Sequence, residues 1–323
     1  MSKALASFVG ILAVLLFAAV NAQTRADSDF KVTLLGTGTP IPDPDRFGPS
    51  TLVEAGNQKL LFDAGRGATI RLRQINMTKG TIMSKIDALF LTHYHSDHTL
   101  GIPDLWLTGW LNNSRKEPFR LIGPVGAKSL MTSLETAYAL DIKIRLEDEK
   151  LSPEGIATVV EEFEKDGVVY DRDDVKVIAF TVDHGAAIKP AVGYRIEYKG
   201  RAVVISGDTR YDQNVIKYSA GVDLLIHEVC VARAELLSSN PYMRRVMDHH
   251  TSPREAGQVF SLAKPKLAVY SHLVFLGSDK IPRATVEDIV AGTRETYDGP
   301  LQVGADLMSF EIGDTVIVRQ RNP

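Results

Sequence analysis

Three histidines and one aspartate fall within six residues in the segment His93-Tyr94-His95-Ser96-Asp97-His98. Neutral imidazoles and carboxylates are the ligands that zinc, iron and manganese accept. Packed together without a cation, such side chains repel when charged, or leave ring nitrogens unsatisfied when neutral. The cluster therefore reads as a metal site and not as a polar surface loop. It follows a short apolar strand, residues 88–91, whose end can aim several side chains at neighbouring points. The same arrangement recurs down the chain. His184 follows an apolar strand at 175–182, and Asp208 follows one at 202–206. His227-Glu228 ends another at 224–226, and His272 ends one at 267–270. A single histidine at a strand end is usually a cap or a core residue. Its repetition beside the first cluster favours one shared site.

The elements that must carry these residues can be traced from the pattern. Residues 30–35, 52–54 and 59–62 are predicted strands, and Gly56-Asn57 marks a hairpin turn between the last two. A loop rich in Pro, Asp and Gly spans 40–49. Helices are predicted at 66–74, 102–111, 127–138, 252–262 and 285–297, with further strands at 119–122, 191–198, 301–303 and 316–318. Runs of strands with interspersed helices suit sheets covered by helices in one domain over 23–323. Residues 141–174 stand apart, with twelve acids against five bases, and are expected to form an exposed acidic insertion.

Composition sets outer bounds. The chain has 323 residues, 44% hydrophobic and 24% charged, with a formal net charge of −3. That is an ordinary globular composition without a basic surface for a polyanion. Lys3 precedes an almost wholly apolar run, residues 4–20, and small residues lead to Ala22. This is the layout of a secretory signal peptide at 1–22, cleaved before Gln23. Secretion or a periplasmic location is expected, without stable membrane association after cleavage. The single cysteine, Cys230, permits no internal disulfide and reads as a small buried residue.

The segment from His93 to His98 resembles the signature of the metallo-β-lactamase superfamily in order and spacing. The likeness continues through Gly36-Thr37-Gly38, Phe62-Asp63-Ala64-Gly65, His184, Gly207-Asp208-Thr209, His227-Glu228 and His272. Within the superfamily the chain is most similar to the ribonuclease Z group, especially its secreted arylsulfatase-like branch. Three segments point there: 42–50, Leu105 to Trp110, and His250-Thr251-Ser252 ahead of a helix. The resemblance implies an α+β fold, a four-layer αββα sandwich with the site at the sheet edges. It implies two divalent ions, zinc by default, with manganese or iron as alternatives. His93, His95 and His184 would hold the first, Asp97, His98 and His272 the second, and Asp208 would bridge them. Asp63 would support the His loop. His250 would protonate the leaving group with Glu228 orienting it, which makes Asp97, Asp208, Glu228 and His250 the catalytic set. A homodimer is common in that group.

Some assignments remain open at this level. His249 competes with His250, although adjacent residues usually point in different directions, and the position before Thr251-Ser252 favours His250. His227 is expected to be structural. Trp106, Trp110 and Phe47 either line an aromatic mouth for an aryl substrate or pack as ordinary apolar residues. The leading expectation for function is a secreted hydrolase of sulfate monoesters or phosphodiesters, acting on a small anionic ester. A ribonuclease Z-type endoribonuclease and a β-lactamase or lactonase are alternatives, and a catalytically silent metal-binding protein is the non-enzyme alternative. The signal sequence and the acidic stretch argue against tRNA, because an acidic arm repels a phosphate backbone. No nucleic-acid partner is therefore expected. Expression of the full chain in a bacterial host should yield an exported protein whose first residue, by N-terminal sequencing, is Gln23. A retained Met1 would refute cleavage.

Overall fold

The computed structural model describes residues 29–75 and 82–320. The leader at 1–22 lies outside the described residues. Among the described residues no helix is long and apolar enough to cross a membrane.

The first sheet is built from β1 (Phe30–Gly36), β2 (Ser50–Ala55), β3 (Gln58–Phe62), β4 (Ala88–Phe90), β5 (Phe119–Pro124) and β6 (Thr158–Phe163). The second contains β7 (Gly167–Arg172), β8 (Val175–Thr181), β9 (Val192–Tyr198), β10 (Arg201–Ile205), β11 (Leu224–Val231), β12 (Leu267–Phe275) and β13 (Leu301–Val303). The chain then returns to the first sheet as β14 (Ser309–Ile312) and β15 (Val316–Arg319). The strand orders are β15-β14-β1-β2-β3-β4-β5-β6 and β13-β12-β11-β10-β9-β8-β7.

Side-chain alternation along the strands separates the layers. Leu60 and Phe62 of β3 enter the core between the sheets, where they meet Tyr194, Ile205 and Val269. Leu61 faces the other way and packs with Leu105 and Trp106 of the helix Ile102–Trp110. On the far side, Val204 and Leu225 pack against Val259 and Phe260 of the helix Pro253–Ala263. Two sheets with helices on both outer faces make the four-layer αββα sandwich.

The acidic stretch turns out to be part of this framework. It supplies the edge strand of each sheet: β6 pairs with β5, and β7 pairs with β8. Leu151 and Tyr170 are buried, whereas Leu140 and Ile144 on the helix Ala139–Glu147 are exposed. Its acids dominate the composition because edge strands present much of their surface to water, and they masked the β pattern beneath. The two tryptophans are also settled. Trp106 and Trp110 are buried, and their indole N–H groups donate to the Ile156 and Ser152 carbonyls at 2.9 and 2.7 Å. They bind the helix to the segment beneath it and line no mouth.

One buried ionic node fixes the loop 37–47 against the rest. Asp306 accepts from Thr37 N (2.9 Å), Thr37 Oγ1 (2.8 Å), Phe47 N (2.8 Å) and Arg71 Nε (3.1 Å). Arg71 also lies 4.1 Å over the Phe47 ring. Thr37 in turn accepts from Leu273 N at 2.9 Å, next to His272. Asp306→Ala leaves the Arg71 charge buried and unpaired, so it should cost about 3–5 kcal/mol of stability in urea denaturation.

Candidate metal centre

The site sits where several strands end at one edge of the sandwich. In the first sheet β3, β4 and β5 are parallel, and in the second β10, β11, β12 and β13 are parallel, so their C-terminal ends gather side chains. Asp63 follows β3 and His93 follows β4. The short helix Ser96–Thr99 then presents Asp97 and His98 on adjacent faces. His184 lies just past β8, and Asp208 just past β10.

His272 is placed by an irregularity. His227 pairs with Tyr270 and Val229 with Leu273, so Ser271 and His272 together oppose the single residue Glu228. Such a bulge re-aims a side chain. His272 there adopts a positive φ of 47°, and Asp63 one of 57°. Left-handed backbone at non-glycine residues costs of order 1–3 kcal/mol and persists where surrounding contacts enforce it. Asp63 is so enforced. Its carboxylate accepts from Thr92 N and Thr92 Oγ1, both at 2.8 Å, and Oδ2 lies 2.7 Å from His98 Nδ1. That contact orients the His98 ring and turns its Nε2 inward, 3.4 Å from Asp208 Oδ2 and 3.6 Å from Asp97 Oδ2.

All seven expected ligands converge. Ligand atoms of His93, His95, His184 and Asp208 lie within 4.8 Å of one another, as do those of Asp97, His98 and His272. Asp208 Oδ2 is 3.8 Å from His93 Nε2, 3.7 Å from His184 Nε2 and 3.2 Å from His272 Nε2, so it touches both groups. His272 Nε2 is also 3.2 Å from Asp97 Oδ2.

The donor set fits metal ions. His95 Nδ1 stands 3.0 Å from His93 Nε2 and 3.4 Å from His184 Nε2. Three imidazole nitrogens converging in this way can be met by one cation. Buried His98 Nε2 has no hydrogen-bond partner although its other nitrogen faces Asp63. The charges agree. Burial drives His93 well below the usual imidazole range, lowers His95 and brings His184 down to about 4. These three stay neutral, as ligation requires. Burial disfavours charge on His98 and on His272, but Asp208, with Asp63 and Asp97 respectively, outweighs it and raises both. Positive charge is thus demanded beside Asp97 and Asp208, and these clusters are able to bind metal in answer to it.

The remaining residues make a second constellation. His250 Nδ1 lies 3.2 Å from Glu228 Oε2, and its ring stacks 5.7 Å from that of His272. Burial works against its charge, yet Glu228 and Asp208 hold it up at about 9. Glu228 is fixed by Thr251 N at 2.9 Å and Thr209 N at 3.3 Å, two motif residues to which the sequence assigned no role of their own. Their adjacency to His250 and Asp208 was the available signal. His249 turns its carbonyl to His184 Nδ1 at 2.8 Å and so orients that ring. His227 is buried, with Nδ1 directed at the Glu228 carbonyl (2.6 Å) and its ring against Phe260. Cys230 is buried, and burial pushes its thiol up, away from nucleophile chemistry. Two helices ahead of this segment, Ala234–Ser239 and Pro241–Met247, were absent from the sequence reading. Asn240 caps the second, and Asn-Pro at its start was a legible signal.

Comparison with known proteins places this arrangement. Residues 58–273 match the family described as the beta-lactamase superfamily domain. A ribonuclease Z of Mycolicibacterium gilvum is 34% identical over 87% of this chain and 96% of its own length. A ribonuclease Z of Mycolicibacterium paratuberculosis is 36% identical over 86% of this chain and 99% of its own. The fold is shared with the Bacillus subtilis metallo-β-lactamase fold protein YhfI (TM-score 0.64, 20% identity, covering 87% of this chain and 98% of that one). It is shared too with the short form of human tRNase Z (TM-score 0.62, 23% identity, covering 86% and 98%). The chain belongs to the metallo-β-lactamase superfamily, and within it to the family of ribonuclease Z.

These relatives overturn the expectation that no nucleic acid is involved, because proteins similar along nearly the whole chain are ribonucleases by name. The charge argument failed for a physical reason. The acids of 141–174 sit at the surface, on the edge strands, on helices and in the turns between them, and none of them lines the cavity beside His98, Asp208 and His272. Removing metal should expose the repulsion within the cluster. Dialysis against a strong chelator is expected to lower the melting temperature by several degrees, restored by adding zinc or manganese, with Asp208→Ala showing neither effect.

Proposed function

We propose that the protein is a two-metal phosphodiesterase of ribonuclease Z type that cleaves RNA. The observation that carries this reading is the His250–Glu228 pair set beside the ligand cluster. An RNA phosphodiester expels an alkoxide, which leaves poorly without a proton, and a buried histidine held protonated by a carboxylate supplies one. The names of the relatives that match along nearly the whole chain support the same substrate class.

His93, His95 and His184 would hold one ion, Asp97, His98 and His272 the other, with Asp208 shared between them. Zinc suits this set of imidazole and carboxylate ligands, as do manganese and iron. When bound, such ions provide Lewis acidity that activates water and offsets charge on phosphoryl oxygens. Asp63 keeps the His98 ring turned inward, and the His249 carbonyl fixes the His184 tautomer with Nε2 free to ligate. Glu228 faces His250 Nδ1, which leaves His250 Nε2 to pass a proton to the leaving oxygen. Residues 1–22 direct export, in this reading, so the substrate would be RNA met outside the cytosol.

The test compares an RNA oligonucleotide, bis(4-nitrophenyl) phosphate and 4-nitrophenyl sulfate on the metal-loaded protein. RNA and the aryl diester should turn over. His250→Ala should lower kcat on RNA by about 10²–10⁴-fold. It should lower kcat far less on the aryl diester, because 4-nitrophenolate leaves without a proton. Equal losses on both would remove His250 from the acid role. Turnover of the sulfate ester alone would overturn the phosphodiesterase reading.

A further inference from the structure

Arg210 lies two residues beyond Asp208, and its side chain is 39% exposed. It reaches two segments far apart in sequence. Its backbone N–H donates to the Asp183 carbonyl at 2.8 Å, and its Nη1 stands 3.5 Å from Asp183 Oδ2. Its Nε donates to the Asp248 carbonyl. Asp183 immediately precedes His184, and Asp248 immediately precedes His249 and His250.

The two segments come close beneath the guanidinium. Gly185 adopts a φ of 110°, and a Cβ there would stand 3.1 Å from the His249 ring and 3.8 Å from Arg210 Nη2. Asp183 is itself braced, accepting from Gly185 N at 2.9 Å and donating its own N–H to Asp212 Oδ2 at 2.9 Å. His184 itself is bonded to the second segment through its Nδ1 and the His249 carbonyl, at 2.8 Å. Arg210 therefore adds a brace alongside that bond, from an element that also carries Asp208.

We propose that Arg210 is a positioning residue, a clamp that fixes the His184 loop and the His250 segment to the Asp208 turn and so sets His250 against the ligand cluster. This rests on the phosphodiesterase reading for its catalytic consequence, and on geometry alone for the clamp. A guanidinium suits the task because its planar fork can serve two acceptors at once, whereas a lysine ammonium is a single point of charge on a flexible stem. Loss of a residue that orients the reacting groups acts on the reaction step more than on substrate affinity. Partners of this kind typically change activity by about 10- to 100-fold.

The experiment uses the full-length, metal-loaded protein and the variants Arg210→Ala and Arg210→Lys. Kinetics are measured on RNA and on bis(4-nitrophenyl) phosphate, and hydrogen–deuterium exchange is followed by mass spectrometry. The expected result for Arg210→Ala is a kcat about 10- to 100-fold lower on RNA with KM unchanged. Exchange should rise in peptides covering both 182–186 and 247–251, and Arg210→Lys should recover part of each effect. A raised KM with unchanged kcat and unchanged exchange would overturn the clamp and make Arg210 a contact for the substrate's phosphates. Should the wild type cleave neither substrate, the functional reading fails separately, and the exchange pattern alone decides the clamp: a rise in both segments upholds it, and no rise sinks it. If Arg210→Ala does not fold, the same two readouts on Arg210→Lys decide.

Discussion

Asp97 and Asp208 are carboxylates taken almost entirely out of water, and each must be met by positive charge. Burial alone would raise their pKa values, yet the imidazoles around them hold Asp208 well below the usual carboxylate range and lower Asp97. His98 and His272 are correspondingly raised, so the cluster is organised around two centres of positive charge. Protons on these two rings or bound cations can supply that charge. Bound cations would in addition meet the nitrogens of His93, His95 and His184 that face one another.

The sandwich satisfies this demand with backbone geometry that is costly elsewhere. Parallel strands bring their C-terminal ends to one edge, and the side chains past those ends meet there. A bulge in β12 and positive φ values at Asp63 and His272 turn individual residues inward. Those strained positions are held by neighbours at fixed distances: Thr92 for Asp63, and Thr37, through Leu273, for the region of His272. The Asp306 node that fixes Thr37 thus belongs to the scaffold of the site, although it contributes nothing to its chemistry.

The acidic stretch shows how a correct count can mislead about function. Its charge is real, but charge acts through position, and these residues lie at the surface, on edge strands, helices and the turns between them. Surface acids there are screened by salt within about a Debye length. They therefore do not bar a polyanion from a pocket lined by other residues. The tryptophans gave the complementary lesson: large aromatics spaced four apart fit a binding mouth and a packed helix equally well in sequence. Their N–H groups found carbonyl partners in the neighbouring segment, which identifies packing.

The convergence of these side chains was legible because metal chemistry restricts residue types severely, and the His93–His98 spacing places several candidate ligands on one turn. Strand-end positions for His184, Asp208 and His272 were legible from the apolar runs before them. The resemblance to a superfamily then sorted those ligands into two groups. What the sequence alone left undecided depended on contacts between distant segments. Whether His249 or His250 faces the ligands was decided by where Glu228 arrives from β11, and His249 is used through its carbonyl instead. The role of Arg210 was invisible because it joins Asp183 to Asp248, and nothing in linear order says that those residues meet. Periodicity and ligand chemistry are local properties and can be read from neighbours in the chain. Orientation, charge compensation and clamping are properties of residues brought together by folding, and only the tertiary structure fixed them.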